Sequence, residues 1–344
     1  MKNIVVAIFI IFIFISAKAQ SNYFDVKDVM NGESFHFPIF NNSKDSITSR
    51  KINQFLQLKE LEQLCDSKLE NIFNVVAKDD NDIYGGSKYD ISYEINMNNS
   101  KLLCLNFSES YCGATCTYWT GYYVFNSGNG DLVKLKDLFT EEGFKIYNKT
   151  IVNVRVNKFN EEWKKLNSTD EEELSTNIDC LKTDKLDNFY IKDTCICIDG
   201  DNCLNKGQKF DDLDMIVSFN LSEFKAYLNA YGRAVFGLSK DNISKFRSND
   251  LPQLFEGIIG KNKIVMIIEN SFDDGIYGNY AYLKYRKSIN ISGKLNGSIL
   301  EMKENDDEID NTGTFNAIFD GKKMAGSWTN KDKTKTYKFI AKRK

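Results

Sequence analysis

The longest uninterrupted apolar stretch of the chain stands at its N-terminus. Met1-Lys2-Asn3 gives a short basic start, Ile4 to Ile15 runs almost without a polar atom, and Ser16 to Ala19 ends the run with small residues. This order is typical of a secretory signal peptide. The apolar run is about a dozen residues long, shorter than the roughly 20 that a membrane-spanning helix needs. We therefore predict a signal peptide over residues 1–19, cleaved after Ala19. The mature protein is expected to be exported, either periplasmic or secreted, with no transmembrane anchor.

Two periodicities follow in the mature chain. Apolar residues at helical spacing predict a helix from Ser46 to Cys65, and Thr140 is the expected N-cap of a second helix that runs towards Trp163. Alternation of apolar and polar residues predicts three strands between these helices: Tyr89 to Met97, Leu102 to Ser110 and Thr117 to Phe125.

The pattern is weaker between residues 167 and 246. We expect an exposed connection over 167–175 and an irregular, cysteine-rich insertion over 180–203. Strands are predicted over 215–219 and 233–238, and helical turns over 222–230 and 241–246.

Beyond residue 250 the chain alternates regularly, with Gly, Asn and Asp turns between short strands. Such spacing is typical of a meander that curls into a small barrel. The seven predicted strands are Ile264 to Glu269, Gly278 to Tyr285, Ile289 to Leu295, Ser298 to Lys303, Thr314 to Phe319, Met324 to Trp328 and Thr336 to Ala341.

The whole pattern predicts an α+β protein. An N-terminal antiparallel sheet packed with helices is expected over residues 20–250, and an all-β meander or small barrel over residues 256–344.

Charge and histidine content narrow the functional classes. The full chain carries 45 basic and 48 acidic side chains, and loss of Lys2 and Lys18 with the signal takes the formal charge from −3 to −5. A nucleic-acid partner is therefore not expected, because such proteins present a basic footprint. The only histidine is His36, which lies in an alternating strand. We predict a strand residue there, and a single histidine excludes multi-histidine zinc sites.

Eight cysteines in an exported chain predict disulfides. Spacing favours Cys112 with Cys116 and Cys197 with Cys203, because a short turn-forming segment separates each pair. The remaining pairs would then be Cys180 with Cys195 and Cys65 with Cys104, although sequence alone does not fix the connectivity.

An ordered set of short motifs carries a family resemblance over residues 52–246. These motifs are Leu102 to Ser108, Gly113-Ala114, Tyr118 to Asn126, Gly128 to Asp131 and Val133 to Phe139. Together they resemble a bacterial extracytoplasmic domain of unknown function, which occurs in the lysozyme-binding anti-sigma factor and beside polysaccharide deacetylase domains. The family often has histidine after Gly-Ala, whereas this chain has Thr115, so no role of that histidine carries over.

The C-terminal strands resemble a small β domain typical of secreted Bacteroidetes proteins. The motifs that carry this resemblance include Ile276 to Tyr282, Thr312 to Phe315 and Gly326 to Trp328. Both resemblances imply an envelope or secreted binding module, and neither supplies a catalytic residue.

The predicted strand from Thr117 to Phe125 offers the candidate ligand-binding residues. Tyr118, Trp119, Tyr122 and Tyr123 are aromatic side chains of the kind that stack on sugars or anchor protein interfaces. Packing within the sheet is the alternative interpretation, because aromatic residues favour strands.

Acidic groups offer a weaker case for a metal site. They are Asp79, Asp80 and Asp82, Asp199 and Asp201, and Asp306, Asp307 and Asp310. None has the spacing of a calcium loop, and Asp favours solvated turns. We predict no metal site, no cofactor and no catalytic residue.

The resulting prediction is an exported, non-catalytic binding module that recognises a cell-wall glycan or a protein such as lysozyme. Two alternatives remain open. A glycan hydrolase needs only two carboxylates in a cleft, and a purely structural envelope protein needs no site.

Overall fold

The computed structural model describes residues 22–65, 69, 72–77, 88–112, 116–166, 168–184, 186–200, 203–204, 213–248, 250–270, 275–305 and 312–344. The predicted signal peptide, the Gly113-Ala114 motif with Thr115, and every residue of the acidic groups weighed as metal ligands except Asp199 lie outside these residues.

A five-stranded sheet forms the body of the N-terminal part, in the order β1-β2-β3-β4-β5. Neighbouring strands are antiparallel, except that β2 meets β3 in parallel at a single pair, Phe35 with Ile91. The strands are β1 (Asp25–Asn31), β2 (Phe35–Asn41), β3 (Asp90–Asn98), β4 (Leu102–Cys112) and β5 (Cys116–Asn126).

Helix α1 (Ser46–Glu60) lies against this sheet. Asp45 caps it, because its carboxylate accepts a hydrogen bond from the Thr48 backbone N–H at 3.0 Å. Ile52, Phe55 and Leu56 are buried on one side, as their helical spacing requires. The sequence-based helix is therefore present, and it ends at Glu60 rather than Cys65.

The other face of the sheet is covered by helices and a second, three-stranded sheet. Thr140 caps α2 as predicted, through a hydrogen bond from the Gly143 N–H to Oγ1 at 2.9 Å. The elements are α2 (Glu141–Lys165), α3 (Glu171–Thr183), β6 (Phe189–Lys192), β7 (Cys195–Ile198), β8 (Val217–Asn220), α4 (Leu221–Phe224) and α5 (Ala230–Val235), with 3₁₀ turns at Leu135–Leu138, Lys225–Tyr227 and Ile243–Lys245.

Three local predictions in this region are wrong. Residues 233–238 do not form a strand, because α5 occupies Ala230–Val235 and its N-cap Asn229 accepts a hydrogen bond from Gly232. Residues 171–175 begin α3 rather than an open connection. The segment 180–203 is not irregular, since β6 and β7 pair with each other and β7 also pairs with β8.

The C-terminal strands close into an eight-stranded antiparallel barrel. The α+β prediction is confirmed, and the small barrel gains a strand at Gln253–Ile259 that the sequence pattern did not show. The strands are β9 (Gln253–Ile259), β10 (Asn262–Asn270), β11 (Ile276–Tyr282), β12 (Ser288–Asn296), β13 (Ile299–Asn305), β14 (Gly313–Phe319), β15 (Lys323–Asn330) and β16 (Thr336–Arg343).

Two glycines allow neighbouring barrel strands to approach closely. A Cβ on Gly293 would lie 1.9 Å from the Glu301 carbonyl oxygen, and one on Gly326 would lie 2.0 Å from that of Asn316. Any larger residue at either position would force the strands apart.

One carboxylate lies inside the barrel. Glu304 is buried and accepts hydrogen bonds from the Trp328 indole N–H at 2.6 Å, the Thr312 hydroxyl at 2.5 Å and the Tyr280 hydroxyl. Burial, together with the charge of Glu304, raises the pKa of Tyr280. Three donors thus satisfy an acid in an otherwise apolar interior.

Helix α1 joins the two parts of the molecule into one core. Its buried side chains pack on the five-stranded sheet and also on the outward-facing Leu254, Val265, Ile267 and Ala281 of the barrel. The backbone adds contacts, since the Leu64 N–H donates to the Arg286 carbonyl oxygen at 2.8 Å and the Ser288 N–H donates to that of Glu62 at 2.9 Å.

Asp131 adds a charged contact across the same junction. Its side chain is 2% exposed and lies 2.7 Å from Arg343 of β16, 3.4 Å from Arg247, and in direct contact with Lys51 of α1. Burial lowers the pKa of Lys51, against the opposing attraction of Asp131. One carboxylate therefore links α1, the loop after β5 and the last strand of the barrel.

Candidate functional site

The hairpin of β4 and β5 ends in a tip closed by a disulfide. Cys112 and Cys116 are cross-strand partners, and their sulfur atoms are bonded to each other. The burial of β5 falls steadily from its root at Tyr123–Asn126 to its tip at Cys116–Trp119. The tip therefore projects from the body of the sheet with a covalently fixed end.

Tyr118 and Trp119 are the exposed aromatic side chains of this tip, at 54% and 51% of their surface. They are consecutive residues of one strand, so their side chains point to opposite faces of the sheet. We define the hairpin tip as Thr117–Gly121 together with the disulfide that closes it.

The hairpin tip belongs to an edge strand. β5 is the last strand of the five-stranded sheet. Short pairings with Leu132 and Val133 cover its root, but across Thr117–Gly121 only β4 pairs with it among the described residues. Proteins usually guard such edges with Lys, Pro or a bulge, whereas β5 has no charged residue and no Pro.

The other two candidate residues of this strand lie away from the hairpin tip. The Tyr122 ring stacks on Tyr190 with centroids 5.4 Å apart, and its hydroxyl donates to Asp199 at 2.8 Å. Tyr123 is only 8% exposed, packs between Phe55 and Phe107, and donates its hydroxyl to Glu60. Of the four predicted ligand contacts, Tyr118 and Trp119 alone are open to a partner.

A buried charged cluster lies beneath the hairpin tip, opposite Trp119. Lys88 contacts the carboxylates of Glu60, at 3.4 Å, and Glu109, and its ammonium also donates to the Glu60 carbonyl oxygen at 2.8 Å. The Tyr111 hydroxyl donates to Glu109 at 2.8 Å. Glu109 is the cross-strand partner of Trp119, so the cluster supports the base of the exposed tip.

The pKa values of the two acids of this cluster are shifted in opposite directions. Burial and the nearby Glu60 raise the pKa of Glu109 to about 9. Burial alone would raise the pKa of Glu60 as well, but the Lys88 charge and hydrogen bonds from Glu109 and Tyr123 outweigh it and lower that pKa. Of the two acids, Glu109 is therefore the one that keeps its proton to higher pH.

This acid pair does not have the geometry of a glycosidase. Glu60 and Glu109 both contact the Lys88 ammonium, and they are only 6% and 4% exposed. Retaining and inverting glycosidases hold their carboxylates about 5–5.5 Å or 6.5–9.5 Å apart on either side of a sugar. There is no room for substrate between these two acids.

Sequence reasoning missed this cluster, although one signal was present. Leu105, Phe107 and Glu109 fall on the same face of β4, because residues of a strand alternate. A carboxylate at the end of an apolar stripe requires a buried partner. The identity of that partner was not readable, since Lys88 and Glu60 come from distant parts of the chain.

The remaining candidate chemistry is sparse. His36 lies in β2 with Nδ1 2.9 Å from an Asp28 carboxylate oxygen, as a half-exposed pair on one hairpin. Within the described ranges, no group of three or more His, Cys, Asp or Glu side chains is placed to hold a metal ion.

No helix in the same part of the chain has both the length and the apolarity to span a membrane.

The second disulfide joins Cys180 of α3 to Cys203. The expected pairing of Cys197 with Cys203, which rests on their spacing, and that of Cys180 with Cys195, which is the remaining pair, are both wrong. Cys195 and Cys197 lie on the central strand β7, where their thiols contact Asn220 and Ser218 of β8 at 3.2 and 3.3 Å. Strand pairing thus holds these two thiols away from the α3 cysteine.

The expected pair of Cys65 and Cys104 does not form either. Cys104 is a buried thiol on the sheet face that packs against α2, whereas Cys65 packs on the opposite face with α1. Burial raises the pKa of the Cys104 thiol to about 12. This cysteine is therefore a packing residue.

The fold and the hairpin tip define an α+β domain with a protruding, disulfide-closed hairpin, joined to a closed barrel. No protein-family model matches the chain, and no match was found among curated proteins. A solved structure of a DUF3298 family member from Bacteroides fragilis NCTC 9343 is similar at 14% identity and a TM-score of 0.41, covering 64% of this chain and 100% of that one. A similarity at this level carries no argument about function.

Proposed function

We propose that the protein is an exported, non-catalytic binding module that recognises a partner protein through the hairpin tip. The observation that carries the proposal is the combination of two exposed aromatic residues, Tyr118 and Trp119, with an uncharged edge strand. Export is supported by the N-terminal apolar run and by the two disulfides.

The geometry favours a protein over a glycan. A sugar platform needs aromatic rings on one face, whereas Tyr118 and Trp119 point to opposite faces of the strand. An extended segment added to the edge of β5 would place its alternate side chains against both rings and its backbone against Thr117–Gly121. Aromatic anchors of this kind commonly carry most of the energy of an interface.

The test is a binding assay of the purified protein against a lysozyme and, separately, against solubilised peptidoglycan. We expect saturable binding of the protein ligand and a loss of at least tenfold in affinity for the Tyr118→Ser/Trp119→Ser double variant. Tyr285→Ser is the matched control, because Tyr285 is a 65% exposed aromatic residue of the barrel region.

Three outcomes would contradict the proposal. Binding of peptidoglycan but not of lysozyme, lost in the double variant, would assign the hairpin tip to a glycan. Equal binding by the double variant and the wild type would remove the tip from recognition altogether. Release of reducing sugars from peptidoglycan would make the protein a hydrolase.

A further inference from the structure

A groove of about 490 Å³ runs between α1 and the outer wall of the barrel. Its volume lies within the range of about 300–1,000 Å³ that small-molecule sites occupy. It is separate from the hairpin tip, because α1 and strands β9, β10 and β16 form it together with Leu283, the residue after β11. The lining residues that carry the argument are Arg50, Ile258, Lys263, Leu283, Ile340 and Lys342.

The floor of the groove is a row of outward-facing side chains that is aliphatic on both sides of Lys263, whose methylene stem continues the apolar surface. Ile340, Ile258 and Lys263 are cross-strand partners on three adjacent strands, and the Leu283 N–H donates to the Lys263 carbonyl oxygen at 3.0 Å. Ile258 and Ile340 are partly exposed, and Leu283 is 40% exposed. Outward positions of a solvated barrel wall are usually polar, so this row is unusual.

The rim of the groove carries an excess of positive charge. Arg50, Lys263 and Lys342 are exposed, and none of them forms an ion pair within the described part of the chain. The one acid of the lining, Glu256, is already bound by the Lys344 ammonium. Burial lowers the pKa of Lys344 against the attraction of Glu256, and the positive charge of Arg50 also lowers it.

We infer that this groove binds an aliphatic carboxylate of the fatty-acid type, with its chain on the Ile340–Ile258–Leu283 floor and its carboxylate between Lys263 and Lys342. The charge complementarity selects an anion, and the branched aliphatic floor selects a hydrocarbon chain. The lining residues include no aromatic ring on which a sugar would stack.

The experiment titrates the purified protein with dodecanoate below its micellar concentration and follows the heat of binding. We expect saturable binding at one site, and an affinity at least tenfold lower in the Lys263→Gln/Lys342→Gln double variant. Lys294→Gln is the matched control, because Lys294 is an exposed lysine of β12 outside the groove. Leu283→Ser is expected to weaken binding of dodecanoate as well.

A second measurement on the wild-type protein does not depend on any variant. Affinity should rise along the series octanoate, decanoate and dodecanoate, by about two- to fourfold for each methylene that the groove covers. Acetate should not compete with dodecanoate.

Each opposite result would overturn the inference. Absence of dodecanoate binding would exclude the ligand class. Equal binding of dodecyltrimethylammonium would remove the role of the basic rim, and an affinity independent of chain length would remove the role of the aliphatic floor. An unchanged affinity in the double variant would place the ligand elsewhere.

Discussion

The buried carboxylate of Glu109 shows how one residue contributes to the pH dependence of the stability of this fold. In the unfolded chain its pKa has the ordinary value of 4.5, and in the folded chain burial and the nearby Glu60 raise it to about 9. The folded state therefore holds this proton more tightly than the unfolded state. The resulting stabilisation is complete below the unfolded pKa and is lost as the pH rises towards the folded one.

Substitution of Glu109 by Gln should make the free energy of unfolding depend less on pH. The amide stays uncharged at every pH and still offers a donor to Glu60 and an acceptor to Lys88. We expect the free energy of unfolding to fall by roughly 2 kcal/mol more in the wild type than in Glu109→Gln between pH 5 and pH 9. Urea unfolding at several pH values measures the difference.

Glu301→Gln serves as the control for that comparison, because Glu301 is an exposed acid of the barrel wall. The control should keep the pH dependence of the wild type. Parallel curves for wild type and Glu109→Gln would show that Glu109 is ionised in the folded protein.

Among the elements, the two disulfides differ in how much chain they restrain. Cys112–Cys116 closes a sequence separation of 4, at the end of a hairpin that strand pairing already holds together. Cys180–Cys203 closes a separation of 23 and ties α3 to the segment that follows β7. Longer closed loops remove more conformational entropy from the unfolded chain.

Removal of the disulfide that closes the longer loop should therefore lower the free energy of unfolding more. We expect Cys180→Ser/Cys203→Ser to lower the free energy of unfolding by about 3 kcal/mol, and Cys112→Ser/Cys116→Ser by about 2 kcal/mol. Urea titrations of the two double variants measure the order. Cys195→Ser, at a thiol outside both bridges, should change the stability little, and a greater loss in the Cys112→Ser/Cys116→Ser protein would contradict the argument.

Elements with a strong local pattern were predictable from the sequence, whereas those defined by distant partners were not. The β4–β5 hairpin and the capped α2 follow from alternation, helical spacing and Thr140. Helix α5 (Ala230–Val235) ends in residues that are typical of strands. It is nevertheless helical, because Asn229 caps it and Gly232 closely approaches Leu138. Strand β9 was missed although the turn Gly260-Lys261 joins it directly to β10; only its second neighbour, β16, lies at the opposite end of the barrel sequence.

In the candidate site, too, some features were predictable from the local sequence and others were not. The aromatic composition of β5 marked the strand, but composition does not say which rings are covered. Tyr123 is buried by Phe55 of α1, and Tyr122 is half covered by Tyr190 of β6. Only the tertiary arrangement separates Tyr118 and Trp119 from their two neighbours in the chain.

At the scale of the whole molecule, we expect Asp131 and α1 to make the two parts unfold together, because both contact the barrel as well as the N-terminal part. Asp131 neutralises Lys51 and Arg343, whose side chains are 7% and 10% exposed. Removal of one partner from a buried ion pair leaves the other charges without compensation, at a cost of about 3–5 kcal/mol. The apolar core around α1, which both parts share, also couples their unfolding.

Asp131→Asn should therefore lower the stability of the whole chain by about 3 kcal/mol and separate the unfolding of the barrel from that of the N-terminal part. The chain has three tryptophans, Trp119, Trp163 and Trp328, and only Trp328 lies in the barrel. A Trp119→Phe/Trp163→Phe background then reports the barrel by fluorescence, while far-ultraviolet circular dichroism reports all elements.

In the parent background the two signals should give coincident unfolding curves, and with Asp131→Asn they should separate. Asp332→Asn, in an exposed turn of the barrel, should leave both curves in place. Coincident and unshifted curves for Asp131→Asn would show that the charged contact does not join the two parts.

The position of α1 also bears on how the protein is divided into pieces for study. A fragment that begins near Gln253 contains all eight barrel strands, yet it lacks the helix that covers Leu254, Val265, Ile267 and Ala281. Such a fragment would expose a hydrophobic patch on the outer wall of the barrel and would tend to aggregate. A useful expression fragment of the barrel therefore needs residues 46–60 supplied with it, for instance through a flexible tether to its N-terminus.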